Sequence, residues 1–312
     1  MNTFLNALKN ELLLAGFSKK ETDEIVADYH DMIDQALRQG LKESEIESTF
    51  GSVKHIVSEI KIDQKPKDAH DIGKEVQTFD VEDIDNIDID LVNEDIRIAT
   101  HEESYMKLSY DGVYDSNHVL IEVQQKTLTI KNKKKYQGFK KNKQQTLSFY
   151  LYVPLKMRFN QVAVGSINGE ITVIQTQSNQ LKAYSVNGLT KIAHNESLQI
   201  KYDGVNGKTW IQHNFTDHIN AKTVSGKIEL EDNDINETLN ITNISAPIII
   251  KNSMPQSLKI NTVSGHIDAT ECYPETLSVN TISGHVNIKN QDKTKIINIE
   301  SKRSISGKIN IL

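Results

Sequence analysis

From residue 162 onward the sequence repeats itself. The copies INGEITV (167–173), VNGLTKI (186–192), VNGKTWI (205–211), VSGKIEL (224–230), ISAPIII (244–250), VSGHIDA (263–269), ISGHVNI (282–288) and ISGKINI (305–311) share one plan. A β-branched residue is followed by Ser or Asn, then Gly, then a short strand-like run. Gly169, Gly188, Gly207, Gly226, Gly265, Gly284 and Gly307 mark the column, with Ala246 in the missing place. The spacings are 19, 19, 19, 20, 19, 19 and 23. A fixed period of this size is the sequence form of a solenoid, in which each unit buries its apolar face only against its neighbours.

The columns predict how each coil is built. Two positions before the Gly every copy has Val or Ile, and four after it most have an aliphatic. Seven and five before it come pairs such as Val162/Val164, Leu258/Ile260 and Leu277/Val279. Each coil therefore offers two short strands with inward aliphatics, and the odd step between the pairs marks a bend. The Gly follows, where positive φ or close contact with the next coil excludes a side chain. Stacking at ~4.8 Å per rung gives aliphatic ladders inside and a Ser/Asn ladder at the corner. The expected fold is mainly β, a parallel β-solenoid of about 19 residues per coil, behind a small N-terminal all-α domain. An antiparallel meander is the competing topology.

Residues 1–60 have helical grammar. Phe4, Leu5, Leu8, Leu12 and Leu13 form one stripe; Ile25, Val26, Tyr29, Met32, Ile33 and Leu37 form a second; Ile46, Phe50, Val53, Ile56, Val57 and Ile60 form a third. Gly16, Gly40 and Gly51 separate or break the runs, and Ser18–Glu21 and Ser44–Glu47 read as capping boxes. Residues 61–80 are polar and aperiodic and read as a linker. The period then changes to two: Ile87, Ile89 and Leu91; Val119, Ile121 and Val123; Leu128 and Ile130; Phe149, Leu151 and Val153. The domains expected are 1–60, a linker 61–80, and 81–312, with regular repeats over 162–312.

Charged residues make up 25% of the chain and the net charge is −6, which argues against a surface built for nucleic acid. The single cysteine, Cys272, rules out an intrachain disulfide framework and a multi-cysteine zinc site. No stretch approaches the ~18–20 apolar residues of a membrane span, and the N-terminus lacks a signal-peptide pattern. The expectation is a cytoplasmic protein, with peripheral membrane contact open to it.

The T-[VI]-S-G-x-[IV] pattern at Thr223–Ile228, Thr262–Ile267 and Thr281–Val286, preceded by Tyr152-Val-Pro-Leu155, resembles the bacterial β-strand-repeat family labelled "putative adhesin", of unknown function. Phe4-Leu5 through Asp28-Tyr29, Gly40, and Phe50-Gly51-Ser-Val53 resemble the helical HAAS signalling domain. The resemblance implies association with cell-envelope stress operons and with PadR-type regulators, and it carries over no catalytic residues.

Four groups of side chains are candidates for chemistry. The cluster KNKKKYQGFKKNK contains Lys131, Lys133, Lys134, Lys135, Lys140, Lys141 and Lys143. It could grip anionic lipid headgroups or phosphates, or be a solvated hairpin loop. Asp80, Glu82, Asp83, Asp85, Asp88 and Asp90 are dense enough for calcium but lack a Gly-rich binding loop; alternation puts Asp88 and Asp90 on an outer strand face. His266 and His285 sit on adjacent rungs in a column that elsewhere holds Glu and Lys. Cys272 has no local His to make it a nucleophile. No repeat column stacks the carboxylates that glycan cleavage needs.

The expected function is a non-catalytic scaffold or signalling accessory without a cofactor or metal, holding a protein partner such as a regulator or membrane protein of the same operon through residues 1–60. A cell-surface adhesin and a carbohydrate-active β-solenoid enzyme are the alternatives. The extra charged residues Ser301-Lys-Arg-Ser304 read as a cap on the last repeat.

Overall fold

The computed structural model describes residues 2–14, 19–38, 42, 46–50, 52–53, 56–57, 76–133, 147–292 and 294–311. Its contacts divide the chain into two units, Met1–Asp71 and Ile72–Leu312.

The first unit holds α1 (Asn2–Leu14), α2 (Lys19–Arg38) and α3 (Ile46–Phe50). Leu8, Leu12, Ile56 and Val57 form one small core, and Leu5, Ile33 and Ile46 a second. Phe4, Val26, Tyr29 and Phe50 pack against both. Met32, assigned to the α2 stripe by spacing, is instead 43% exposed. Ser18 and Ser44, which open the expected capping boxes, and Gly16, Gly40 and Gly51 lie outside the described residues.

The second unit is a parallel β-solenoid made of two sheets. Its first strands are β1 (Val76–Phe79), β2 (Asn86–Leu91), β3 (Asp95–His101), β4 (Met106–Asp111), β5 (Val119–Gln124), β6 (Thr127–Asn132), β7 (Ser148–Pro154), β8 (Arg158–Ser166) and β9 (Ile171–Ile174). Each later coil repeats the pair β8 and β9, a long strand in one sheet and a short one in the other. The pairings are parallel and in register: Leu181 stacks on Val162 and Ile200, and Ile192 on Val173 and Ile211. The one 20-residue coil absorbs its extra residue in a register shift opposite Thr216–His218.

Like side chains lie on like, so the interior is a set of ladders. One runs Val162, Leu181, Ile200, Ile219, Leu239, Leu258 and Leu277, all fully buried. Beside it run Val164, Ala183, Tyr202, Ala221, Ile241, Ile260 and Val279. Tyr202 is the large member and has Ala on both sides, so its volume is compensated along the rod. Burial pushes its phenol pKa up, against the pull of the Thr209 and Thr190 hydroxyls of the facing sheet. Those threonines stand where neighbouring coils have Ile171 and Ile228.

The N-terminal part of this unit does not follow chain order. β2 lies between β6 and β8, and β3 between β7 and β9. The chain lays down one coil, places another outside it, then resumes on the first coil's other face. Antiparallel β5 closes one sheet; antiparallel β4 and then β1 close the other. Thus Val76–Phe79, within the expected linker, is an edge strand, while residues 61–75 lie outside the described set. At the far end, Lys302 pairs with Val279 in an otherwise apolar column. Another coil stacked there would bury an ammonium, at a cost of several kcal/mol.

The glycine column is a matter of contact. A Cβ at Gly188 would lie 2.0 Å from the Gly169 carbonyl oxygen, and one at Gly226 2.1 Å from that of Gly207. None of these glycines has positive φ. Gly265→Val would put its Cβ 2.4 Å from both Ala246 O and Asn243 Nδ2. The expected cost is about 1–3 kcal/mol, a fall of roughly 3–10 °C in Tm. Ser264→Ala, at an exposed position on the same bend, should stay within about 0.5 kcal/mol. Thermal unfolding of the two variants followed by circular dichroism checks the difference.

Candidate functional site

Each coil turns at two corners, and both are built from polar ladders. At the first, most of the long strands end on a buried Ser, Thr or Asn whose side chain pins the bend three residues on; the strand Glu196–Gly204 ends on Gly204 instead. Ser185 Oγ donates to Gly188 O at 2.9 Å, and Gly226 N donates to Thr223 Oγ1 at 3.1 Å. In the coil with Ala246, Asn243 Nδ2 donates to the Ala246 carbonyl at 2.6 Å. This is the physical content of the Thr-x-Ser-Gly pattern: the hydroxyl supplies the hydrogen bonds that the turning backbone cannot. The Ser/Asn column outside it forms the expected ladder. Asn187 Nδ2 reaches Asn168 Oδ1 at 2.9 Å, Asn206 Nδ2 reaches Asn187 Oδ1 at 3.2 Å, and Ser264 Oγ donates to Ile244 O at 3.2 Å.

The Val/Ile column does not face inward as expected. The strand's last inward side chain is the Ser or Thr, so the next residue points out. Ile167, Val224, Ile244, Val263 and Ile282 are 39–49% exposed and Ile305 is 81% exposed; Val186 and Val205 are half-buried. The column is thus an aliphatic ridge along the outside of the solenoid. Beside it, across three coils, runs a groove of about 280 Å³. Ile244, Val263 and Ile282 form one bank; Thr242, Asn261 and Asn280 form the other.

The second corner carries a feature that the apolar pattern does not reveal. Gln175, His194, His213, Asp232, Asn252 and Glu271 each have φ between 46° and 60°. The residue after each is buried: Thr176, Asn195, Asn214, Asn233, Ser253 and Cys272. Asn214 Oδ1 accepts from Asn195 N at 3.0 Å, while Asn214 Nδ2 donates to Ile192 O at 3.1 Å and Gln212 O at 3.0 Å. Asn195 and Asn233 repeat the plan. The signal was available, as a polar residue seven after most of the glycines. Cys272 stands in this same column. Its N–H donates to Asn290 Oδ1 at 3.0 Å, and its carbonyl accepts from Asn290 Nδ2 at 2.7 Å. Burial pushes its thiol pKa up to about 12, the opposite of what a nucleophile needs.

The other candidates fall as follows. Lys131 Nζ donates to Asp88 Oδ2 at 2.6 Å and Lys133 Nζ to Ser116 O at 2.9 Å. Lys134, Lys135, Lys140, Lys141 and Lys143 lie outside the described residues. The expected hairpin is a correction: β6 and β7, which flank the lysine segment, belong to different sheets. Asp88 and Asp90 alternate with buried Ile87, Ile89 and Leu91, and Asp80 caps the short turn Val81–Asp83. His266 and His285 stand on adjacent rungs, 6.2 Å between ring centroids and tilted by 48°, with His266 Nε2 3.0 Å from Asp268 Oδ2. Where the first repeat meets β3, the pairing of Ile96 with Ile171 sets Asp95 beside Glu170. Burial raises the Glu170 pKa, and Asp95 adds to the rise. Asp95 Oδ1 accepts from Glu170 N at 2.7 Å, so this carboxylate fastens the start of β9. Among the described residues, no three His, Cys, Asp or Glu side chains gather to hold a metal ion, and no helix is long and apolar enough to cross a membrane.

Comparison with known proteins gives two family matches. The model of the family described as Toastrack DUF4097 matches residues 84–312, and that of HAAS matches residues 3–59. No curated protein matches the sequence. Among solved structures, a "putative adhesin" from Parabacteroides distasonis ATCC 8503 is 17% identical with a TM-score of 0.54, covering 77% of this chain and 98% of that one. A "putative lipid binding protein" from the same organism is 16% identical with a TM-score of 0.53, covering 78% and 98%. A "putative adhesin" from Parabacteroides merdae ATCC 43184 is 16% identical with a TM-score of 0.52, covering 76% and 95%. At these identities the likeness is one of fold.

Two outcomes follow from the second corner. Asn214→Ala orphans one buried N–H and two buried carbonyls, each worth about 1–3 kcal/mol, so urea unfolding should show a loss of at least about 3 kcal/mol. Asn187→Ala, on the exposed ladder, should lose less than about 0.5 kcal/mol. With a thiol pKa of about 12, only about one Cys272 in ten thousand is ionised at pH 8. Iodoacetamide should therefore leave the native chain unmodified and label it fully in denaturant, as read by mass spectrometry.

Proposed function

The chain belongs to the Toastrack DUF4097 family, and from that premise we propose that it is a non-catalytic scaffold serving the cell-envelope stress response. Residues 1–60 capture a protein partner, and the solenoid presents an extended surface. The observation that carries this reading is the division of labour between the two units. In the solenoid, the polar columns at the corners are occupied in holding the coils together. Asn195, Asn214, Asn233, Asn243 and Cys272 are buried structural positions. The helical unit matches HAAS, and its described residues form two small cores, with Met32 exposed on α2. A bundle of this size gains stability from a partner that covers it.

A second reading is a surface adhesin, favoured by the description of two of the structural neighbours as adhesins. In that case the solenoid, rather than residues 1–60, is the binding part. The five lysines between Lys133 and Leu147 add a third contact to either reading, the headgroups of an anionic membrane.

Affinity capture from native cytoplasmic and membrane fractions separates these readings. The full chain should recover a partner that residues 72–312, which carry their own core, do not. Full recovery by 72–312 would overturn the assignment to the helical unit. Recovery of glycans or intact cells by 72–312 would favour the adhesin. Sedimentation with phosphatidylserine vesicles, compared with neutral ones, tests the lysine segment.

A further inference from the structure

We propose that Asn187 is a self-modifying site, at which the backbone nitrogen of Gly188 attacks the side-chain amide and converts it to a carboxylate. The chain has three Asn-Gly pairs, Asn168-Gly169, Asn187-Gly188 and Asn206-Gly207, one in each of the first three regular coils. All three asparagines are exposed at the first corner. Glycine permits the attack, because a Cβ on the attacking residue would crowd the amide it approaches. In the later coils Ser225, Ser245, Ser264, Ser283 and Ser306 hold the same position, so the chemistry is confined to one end of the ladder.

The reaction needs no partner but water. Gly188 N bonds to Asn187 Cγ, the Cγ–Nδ2 bond breaks, and ammonia leaves with the proton from Gly188 N. Water then opens the cyclic imide at either carbonyl, giving an aspartyl or an isoaspartyl link. No group is oxidised or reduced.

The amide is activated in place. Asn187 Oδ1 accepts from Asn206 Nδ2 at 3.2 Å, a bond that stabilises the oxyanion formed on addition. Asn168 and Asn206 have equivalent donors in Asn187 and Ser225, so the choice among the three lies with the nucleophile. Gly169 N donates to Ser166 Oγ at 2.9 Å and Gly207 N to Val186 O at 3.0 Å. Each must break that bond before it attacks. Among the described residues none accepts from Gly188 N; Ser185, the counterpart of Ser166, turns its hydroxyl to the Gly188 carbonyl instead. A hydrogen bond of this kind changes a rate roughly two- to tenfold. At Asn168 the neighbouring Asp95 and Glu170 carboxylates also oppose an anionic nitrogen on Gly169. Lys208, which would favour one on Gly207, is committed to Glu229 at 3.5 Å and to the Trp210 ring at 4.2 Å.

The product alters the corner. Asn187 Nδ2 donates to Asn168 Oδ1 at 2.9 Å; a carboxylate has no proton to give, and two acceptors then face each other. The isoaspartyl form also adds a carbon to the backbone where Gly188 packs against the Gly169 carbonyl.

Peptide mapping by mass spectrometry, on the native full-length chain held at about pH 9, tests the site. Acid should accumulate at residue 187 at least about threefold faster than at 168 or 206. In urea the three pairs should react at similar rates, since no corner hydrogen bond survives. Ser166→Ala, checked for folding by circular dichroism, removes the acceptor of Gly169 N and should speed conversion of Asn168 about twofold or more. Asn187→Ser, the residue of the later coils, should remove the leading site at an unchanged unfolding midpoint. Native conversion at 168 or 206 as fast as at 187 would overturn the selection of Asn187. A native chain without acid at 187, under conditions that convert the chain in urea, would overturn the site itself. A folded Ser166→Ala chain with an unchanged rate at Asn168 would overturn the role given to the glycine N–H.

Discussion

The structure depends on satisfying backbone polar groups inside the corners of each coil. Parallel strands pair with the coils before and after them, so the flat faces take care of themselves. The corners do not: there the chain turns while still buried, and its N–H and C=O groups lose their ladder partners. An unpaired group of this kind costs about 1–3 kcal/mol, and a solenoid repeats the cost at every coil. The chain answers with side chains. A Ser or Thr hydroxyl holds the bend at one corner, and an Asn amide spans two coils at the other. Because Asn195 and Asn214 each accept from the coil before and donate to the Asn of the coil after, the ladder fixes the register as well as the turn.

That constraint explains the period of the sequence. A residue moved by one position would take its Asn out of the corner and turn every strand side chain to the other face. The coil that carries an extra residue confines the damage to a shift opposite Thr216–His218 and restores register by Leu239. The last coil does the same at Glu300, after which Ser301 pairs with Ser278. Packing is more forgiving than hydrogen bonding. The apolar columns accept Ala, Val, Leu, Ile and Tyr, provided that neighbours compensate, as Ala183 and Ala221 do around Tyr202.

Much of this was legible in the residues. The glycine column, the Ser/Asn ladder and the paired inward aliphatics are all visible because they recur at a fixed interval. The direction of the Val/Ile column was misread. Hydrophobicity alone suggests burial, whereas strict alternation from Leu258 through Ile260 and Thr262 puts Val263 outside. The Asn ladder was missed for the converse reason: a polar residue in a polar segment looks like solvent-facing turn. Its mark was positional, a polar residue seven after most of the repeat glycines. Where the period is absent, as in the strands before residue 158, the spatial order of coils rests on pairings between distant segments. No local pattern encodes them.

The doubled-back coil at the N-terminal end has a consequence for the order of folding. β2 and β3 make the earliest coil in chain order but are covered on both sides by segments made later. Growth of the stack is therefore not a simple zipper following synthesis. β6 and β7 close one flank across 41 and 53 residues (Asn86 to Thr127, Asp95 to Ser148), and β8 and β9 close the other across 75 (Asn86 to Gln161, Ile96 to Ile171). Contacts at such separations form slowly, since loop closure precedes any gain from pairing. The regular coils, each adding to its immediate predecessor about 19 residues back, form with far less delay. The kinetic nucleus is then expected among the regular coils, and the part of the solenoid that leaves the ribosome first is the part that waits longest for its neighbours.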